Sequence, residues 1–266
     1  MQLFVKSITY PVNKIMRTIM SIAAICPLWK EPSYKMEMTS QLLFCEQAVV
    51  LEELENFTRV RCLFDDYEGW CMNNQIAEMP ADTAFELKGY INETGTAALI
   101  NNTPIHLPVA SPVYSNIDCG LFKIEYPVNG YLHAEDIKAN PEMAEELAMI
   151  FINTPYIWGG KSSFGIDCSG FAQKVFKMMG IHLPRDAYQQ IAFGETVDFL
   201  QQCICGDLAF FDNENGDIIH VGMLLGSNSI IHASGYVRVD AIDNLGIVNA
   251  VTGKRTHRLR IIKRLF

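Results

Sequence analysis

The sequence predicts an α+β protein: two small all-β barrels, then a mixed domain whose helices precede an antiparallel sheet. Three observations carry this. From about residue 25 to 137, short runs rich in Val, Ile, Leu and Phe are broken by Pro, Gly, Asn and Asp, with no helical period. Within that half, EGWCMNNQI (68–76) and NGYLHAEDI (129–137) share the pattern Gly, aromatic, five residues, Ile. At Asn140-Pro141 the pattern turns helical.

Length and composition agree. The chain has 266 residues, and at roughly 150 residues per domain this allows two or three compact units. With 49% hydrophobic and 19% charged residues it buries real cores and is neither disordered, collagen-like nor a coiled coil. The expected layout is an extension over 1–24, barrels over 25–80 and 81–137, and the mixed domain over 138–266. Net charge −9 argues against a nucleic-acid partner or an anionic wall polymer. Eight cysteines (26, 45, 62, 71, 119, 168, 203, 205) contain no C-x-x-C pair and read as reduced thiols of a cytosolic compartment.

Taken in order, the amino-terminal region comes first. Lys14 and Arg17 precede the apolar run Ile19 to Trp29 and mimic a secretory signal. Ala23-Ala24-Ile25-Cys26 resembles a lipoprotein cleavage box but has Ile25 where a small residue is required, with Pro27 and Trp29 close behind. A strand is the expectation here and a cytoplasmic protein the consequence; the alternative is a periplasmic or lipid-anchored one. No segment reaches the ~20 apolar residues a membrane-spanning helix needs. In the barrels, Gly69 and Gly130 are expected in turns, with Trp70 and Tyr131 entering the next strand.

The mixed domain opens on a helix with Asn140 as N-cap, Pro141 at the first position, Glu142, Glu145 and Glu146 near its positive end, and a core stripe of Met143, Leu147 and Ile150. A second helix is expected from Cys168 to Met179, with Phe171, Val175 and Met178 on one face and Gly180 just past its end. Strands follow at DLAFF, DIIHVGMLL, SIIHAS and RLRIIKRLF.

Cys168 differs from the other cysteines. It starts a helix after the loop GGKSSFGID, where helix-end amides favour a thiolate and lower the thiol pKa. It is a candidate nucleophile; a buried structural cysteine is the alternative. A nucleophilic thiol needs a base, and the base needs an orienting group. His220 and His232 lie on consecutive strands joined by a turn at 226–229, which brings them together. Cys and two His also suit zinc, but their separations match no short zinc pattern, so no metal is expected.

The motifs YIWGGKSSFGIDCSGF, GIHLPRDAYQQ, GDLAFF, HVGMLLG and IHAS occur in order from residue 156 to 234. They resemble the NlpC/p60 family of papain-like cell-wall peptidases. The resemblance implies Cys168 as nucleophile, His220 as base and acid, His232 as the residue orienting it, and no cofactor. The segment from Trp29 to Trp70 resembles a bacterial SH3-like domain, and 81–137 is a more divergent copy. The whole layout is similar to γ-D-glutamyl-L-diamino acid endopeptidases, in which the first SH3-like domain closes one end of the cleft. That implies a murein peptide substrate, L-Ala-γ-D-Glu-diamino acid, met in wall recycling or turnover, with Tyr156, Trp158, Asp167, Ser169 and Arg185 among the substrate-binding residues. Asp186 is the acid expected where such enzymes hold a free amino terminus, joined by Tyr67 and Glu37, with Glu31 as the lesser candidate. An inactive wall-binding scaffold and an acyltransferase on the same fold are the competing readings.

Overall fold

The computed structural model describes residues 17–79, 85–115, 117–118, 122–126 and 129–266. Lys14 and Cys119, and the expected extension up to residue 16, lie outside the described residues.

The first unit is one curled antiparallel sheet in the order Met38–Leu43, Ile25–Trp29, Glu68–Met72, Phe57–Cys62, Gln47–Glu53, Thr18–Ser21, Ile76–Glu78. It begins at Thr18 rather than residue 25, because the apolar run supplies two strands, with Ile19, Met20, Cys26 and Leu28 all buried. Gly69 is not in a turn. It pairs with Val60 inside Glu68–Met72, and a Cβ there would stand 2.8 Å from the Leu28 Cβ, so glycine serves close strand packing.

The middle unit consists of two small sheets. One runs Thr103–His106, Ala97–Ile100, Lys123–Glu125, Ile117–Asp118, and the other Pro112–Tyr114, Leu87–Ile91, Tyr131–His133. Its core of Ile91, Ala98, Leu107, Val113, Ile117 and Ile124 is completed by Met20, Phe44 and Cys45 of the first unit, so the two share apolar burial. Gly130 has φ +87°, as a turn requires. The internal repeat ends alike in both copies: Glu68–Met72 runs into a 3₁₀ turn at Asn73–Gln75, and Tyr131–His133 into one at Ala134–Asp136.

The third unit starts with helix α1 (Pro141–Met149), whose Asn140 cap accepts the Met143 N–H at 2.8 Å. Its buried face is Ala144, Leu147 and Ala148, rotated from the expected stripe; Met143 and Ile150 flank it, half-buried. Helix α2 (Cys168–Met178) is buried on every side rather than along one face, and α3 (Ala187–Gln190) is a single turn. The sheet order is Glu195–Val197, Arg255–Arg264, Leu208–Asp212, Ile218–Leu224, Ser229–Ser234, Tyr236–Asp243, Gly246–Val248. Gly246–Val248 also pairs with Arg255–Arg264, so six of these strands close on themselves around Ala209, Phe211, Leu224, Ile230, Ile242 and Ile247.

The reason α2 has no solvent face is electrostatic. Lys174 and Lys177, late in α2, both donate to Oε1 of Glu46 in the first unit, at 2.8 and 2.6 Å. Lys161 pairs with Asp65 at 3.2 Å, and Gln173 donates to the same carboxylate at 3.0 Å. All five of these charged residues are buried. Burial raises the Glu46 carboxyl, but Lys174, Lys177 and Lys161 outweigh it and hold it well below its ordinary range. Burial pushes the Lys174 ammonium down, and the neighbouring lysines add to this against the pull of Glu46.

Two expectations follow. Glu46→Ala leaves buried ammonium groups unpaired and lowers unfolding stability by about 3–5 kcal/mol in urea melts; an unchanged midpoint would refute the assigned role. Because the folded-state carboxyl sits below its unfolded value, its contribution is complete above about pH 4.5 and is lost as pH falls further, so the wild-type protein loses stability in acid more steeply than Glu46→Ala does.

Candidate active site

Asp167 organises the site. As N-cap of α2 its Oδ1 accepts the Gly170 N–H at 2.7 Å and the Ser169 hydroxyl at 3.2 Å, while Oδ2 accepts the Gly159 N–H at 3.0 Å. Arg185, also buried, donates to both carboxylate oxygens and to the Ser169 Oγ, a fork-to-fork pair. Gly159 has φ +77°, and a Cβ there would run into the Met38 carbonyl of the first unit, so only glycine lets this loop lie beneath that strand. Cys168 is thereby fixed as the first residue of α2, buried but lining a cleft of about 490 Å³.

The thiol is not acidic in the empty cleft. Burial, followed by the Asp167 carboxylate, pushes it up to about 12 against the opposing Val221 and Ser169 amides and Arg185. The helix-end amides do favour the thiolate, as expected, but desolvation is the larger effect.

His220, on Ile218–Leu224, and His232, on Ser229–Ser234, form a hydrogen-bonded chain on strands that pack against α2. His220 Nε2 lies 2.9 Å from His232 Nδ1, and His232 Nε2 lies 3.1 Å from Asp240 Oδ2. A carboxylate only accepts, so His232 donates from Nε2 and accepts at Nδ1; His220 then carries its hydrogen on Nε2, leaving Nδ1 free as a base. Burial first, then His257, His232 and Arg238, hold the His220 imidazole well below its ordinary value. Burial also pushes His232 down, to about 4, against the pull of Asp240. Asp240 is fixed in turn by the Arg238 Nε–H and the Ala250 N–H, each at 2.9 Å.

Glu37 and Tyr67 from the first unit, and Tyr156, Trp158, Asp167, Ser169, Arg185 and Asp186 from the third, line the cleft with Cys168, whereas His220 and His232 are not among its lining residues. Glu31 is not among its lining residues. Asp167 and Arg185 direct their polar atoms at each other and at α2, so they shape the wall. Glu37 Oε1 accepts the Trp158 Nε1–H at 2.9 Å, a bond across the two units. Burial raises the Asp186 carboxyl, Asp167 and Asp65 adding to it against Arg185; burial and then the Asp186 charge raise the Tyr67 phenol.

Three further residues belong to the site. Asp240 and Arg238 extend the histidine chain, and His257 lies against His220. Sequence reasoning missed Arg238 and Asp240; the alternation in YVRVDAID, which puts both on one face of a strand beside SIIHAS, is the signal that could have found them.

A thiol at the start of a buried helix, backed by imidazoles on an adjoining antiparallel sheet, defines a papain-like fold. Residues 153–256 match the NlpC/P60 family and residues 28–76 the bacterial dipeptidyl-peptidase SH3 domain, so the chain carries an NlpC/P60 peptidase-family domain preceded by an SH3 domain. "Dipeptidyl-peptidase 6" of Lysinibacillus sphaericus is 29% identical over 260 residues, covering 84% of this chain and 90% of its own. A "Gamma-D-glutamyl-L-lysine dipeptidyl-peptidase" of Bacillus subtilis is 41% identical over 98 residues, 36% of this chain but only 33% of that protein. A crystal structure of an NlpC/P60 family protein from Bacillus cereus shares the fold at TM-score 0.78 and 20% identity, covering 93% of this chain and 99% of the other.

A thiol raised to about 12 predicts that iodoacetamide alkylation of Cys168 in the empty enzyme keeps climbing between about pH 7 and pH 10. A plateau reached by about pH 6, followed by mass spectrometry of the Cys168 peptide, would instead reveal a resting thiolate–imidazolium pair.

Proposed function

We propose that the protein is a cysteine endopeptidase hydrolysing the bond between γ-D-Glu and the diamino acid in murein peptides with a free N-terminal L-Ala. The observation that carries this is a single cleft holding the Cys168 thiol together with Glu37, Tyr67 and Asp186, residues from two units. The names of the relatives, γ-D-glutamyl-L-lysine dipeptidyl-peptidase among them, support the substrate class.

In the proposed reaction the Cys168 proton moves to His220 Nδ1 as sulfur adds to the γ-carbonyl of D-Glu. The resulting oxyanion takes the backbone N–H of Cys168 at the helix start as a donor. The tetrahedral species collapses, the C–N bond breaks, and the diamino acid leaves as an amine carrying the proton from His220. Water then adds to the thioester, giving its proton to His220, and L-Ala-D-Glu departs as the thiol is restored. The transient imidazolium donates to His232, whose own N–H is held by Asp240, so the charge is spread along a buried chain. No step calls for a cofactor.

At the other end of the cleft an ammonium would meet two carboxylates and a phenol, with the raised Asp186 carboxyl gaining most from a cation. The middle unit is read as a second, divergent SH3-like barrel, supported by its repeat of the strand-to-3₁₀ ending. A cytoplasmic location working on recycled peptides is supported by the free thiols packed in the first unit, Cys26, Cys62 and Cys71. Amino-terminal sequencing of protein from its native cells checks this; a chain beginning at Cys26, or a lipid there, overturns it.

Incubation with L-Ala-γ-D-Glu-meso-diaminopimelate is expected to release L-Ala-D-Glu, detected by mass spectrometry, and Cys168→Ala to abolish it. The N-acetylated peptide should show kcat/KM lower by about 10- to 100-fold, since blocking removes the ammonium that the two carboxylates would hold. Asp186→Asn and Glu37→Gln should each narrow that gap. Equal kcat/KM for free and acetylated peptides would remove the amine-site roles of Glu37, Tyr67 and Asp186.

A further inference from the structure

His220 is gripped on three sides. His257, on Arg255–Arg264, stacks on it with ring centroids 4.2 Å apart and planes 24° apart. Phe211 lies 5.7 Å from the His220 centroid and 5.9 Å from that of His257, and His232 stands nearly perpendicular at 5.1 Å. A single hydrogen bond from Nε2 leaves an imidazole free to pivot about that bond, and a stacked ring removes this freedom. His257 is half-buried, and its Nδ1 is 2.9 Å from the Thr256 hydroxyl. The groups around it are His220, His232, Arg238 and Asp240; burial and then Arg238 hold its imidazole below the ordinary value against Asp240, so it stacks as a neutral ring.

We infer that His257 is a positioning residue for the reaction, its ring fixing the plane of His220 so that Nε2–H stays on His232 and Nδ1 stays free to serve as the base for Cys168. The inference rests on the reading of Cys168 and His220 as the reacting pair. It assigns a role in the chemistry to a residue of the last strand, 89 positions beyond the nucleophile. The aromatic plane, not the imidazole nitrogens, does the holding.

Three variants separate plane from bulk. His257→Phe keeps a flat ring, His257→Leu fills space without one, and His257→Ala does neither. Hydrolysis of the free-amine murein tripeptide is expected to lose kcat on the order of 10-fold in His257→Ala and His257→Leu, with KM within about twofold, while His257→Phe stays within about threefold of wild type. In parallel, long-range ¹H–¹⁵N spectra of the imidazoles should show one His220 tautomer in the wild type and in His257→Phe, and mixed tautomers in the other two. Thermal melts identify any variant that loses activity by unfolding. Wild-type kcat in His257→Leu, or an unchanged His220 signal in His257→Ala, would overturn the inference. If the wild-type protein leaves the tripeptide uncut, the substrate reading fails, and the spectra alone still decide whether His257 fixes His220.

Discussion

Three lysines that the third unit buries, Lys161, Lys174 and Lys177, take their carboxylate partners from the first unit, at Asp65 and Glu46. An ammonium buried without a partner costs several kcal/mol, so α2 acquires its all-round burial only with the barrel docked. The cleft depends on this docking. Gln173, on the same helix, bridges Asp65 to the Leu183 carbonyl, and Gln190 ties the Pro184 carbonyl to that of Ser169, so the strap bearing Arg185 and Asp186 is held against both units. The SH3 barrel is therefore a wall of the site, and Glu37 and Tyr67 reach the cleft because of where these ion pairs place it.

Within the cleft, desolvation governs the chemistry. It raises the thiol and lowers His220 and His232, so the empty site holds these three groups in their neutral forms, and it makes the Asp186 carboxylate costlier to keep charged. A neutral imidazole with a free Nδ1 is the form a base needs, and a carboxyl strained by burial is the form that gains most from an incoming ammonium.

Much of this was legible in sequence because local rules suffice for it. Asn140-Pro141 announced α1, Gly180 closed α2, and the turn length between His220 and His232 placed them together. What escaped detection depends on long-range contacts. The burial of Lys174 and Lys177 had no local signal because nothing nearby in sequence names Glu46 as their partner, and the missing strand Thr18–Ser21 was hidden in an apolar run that also mimics a signal. Gly69 looked like a turn residue because its close neighbour, Leu28, comes from another strand. The helix-start rule for Cys168 was correct in direction but smaller than burial, whose extent only the assembled units reveal. His257 carried no signal at all, since its meaning arises from a ring on a strand distant in sequence.

The most direct test of the account is to trap the covalent intermediate. Rapid acid quench of the enzyme mixed with the free-amine tripeptide, followed by peptide mass mapping, is predicted to find an L-Ala-γ-D-Glu acyl group on the peptide containing Cys168 and on no other. Product formation with an unmodified Cys168 at every quench time, or an acyl group on a different residue, would contradict it.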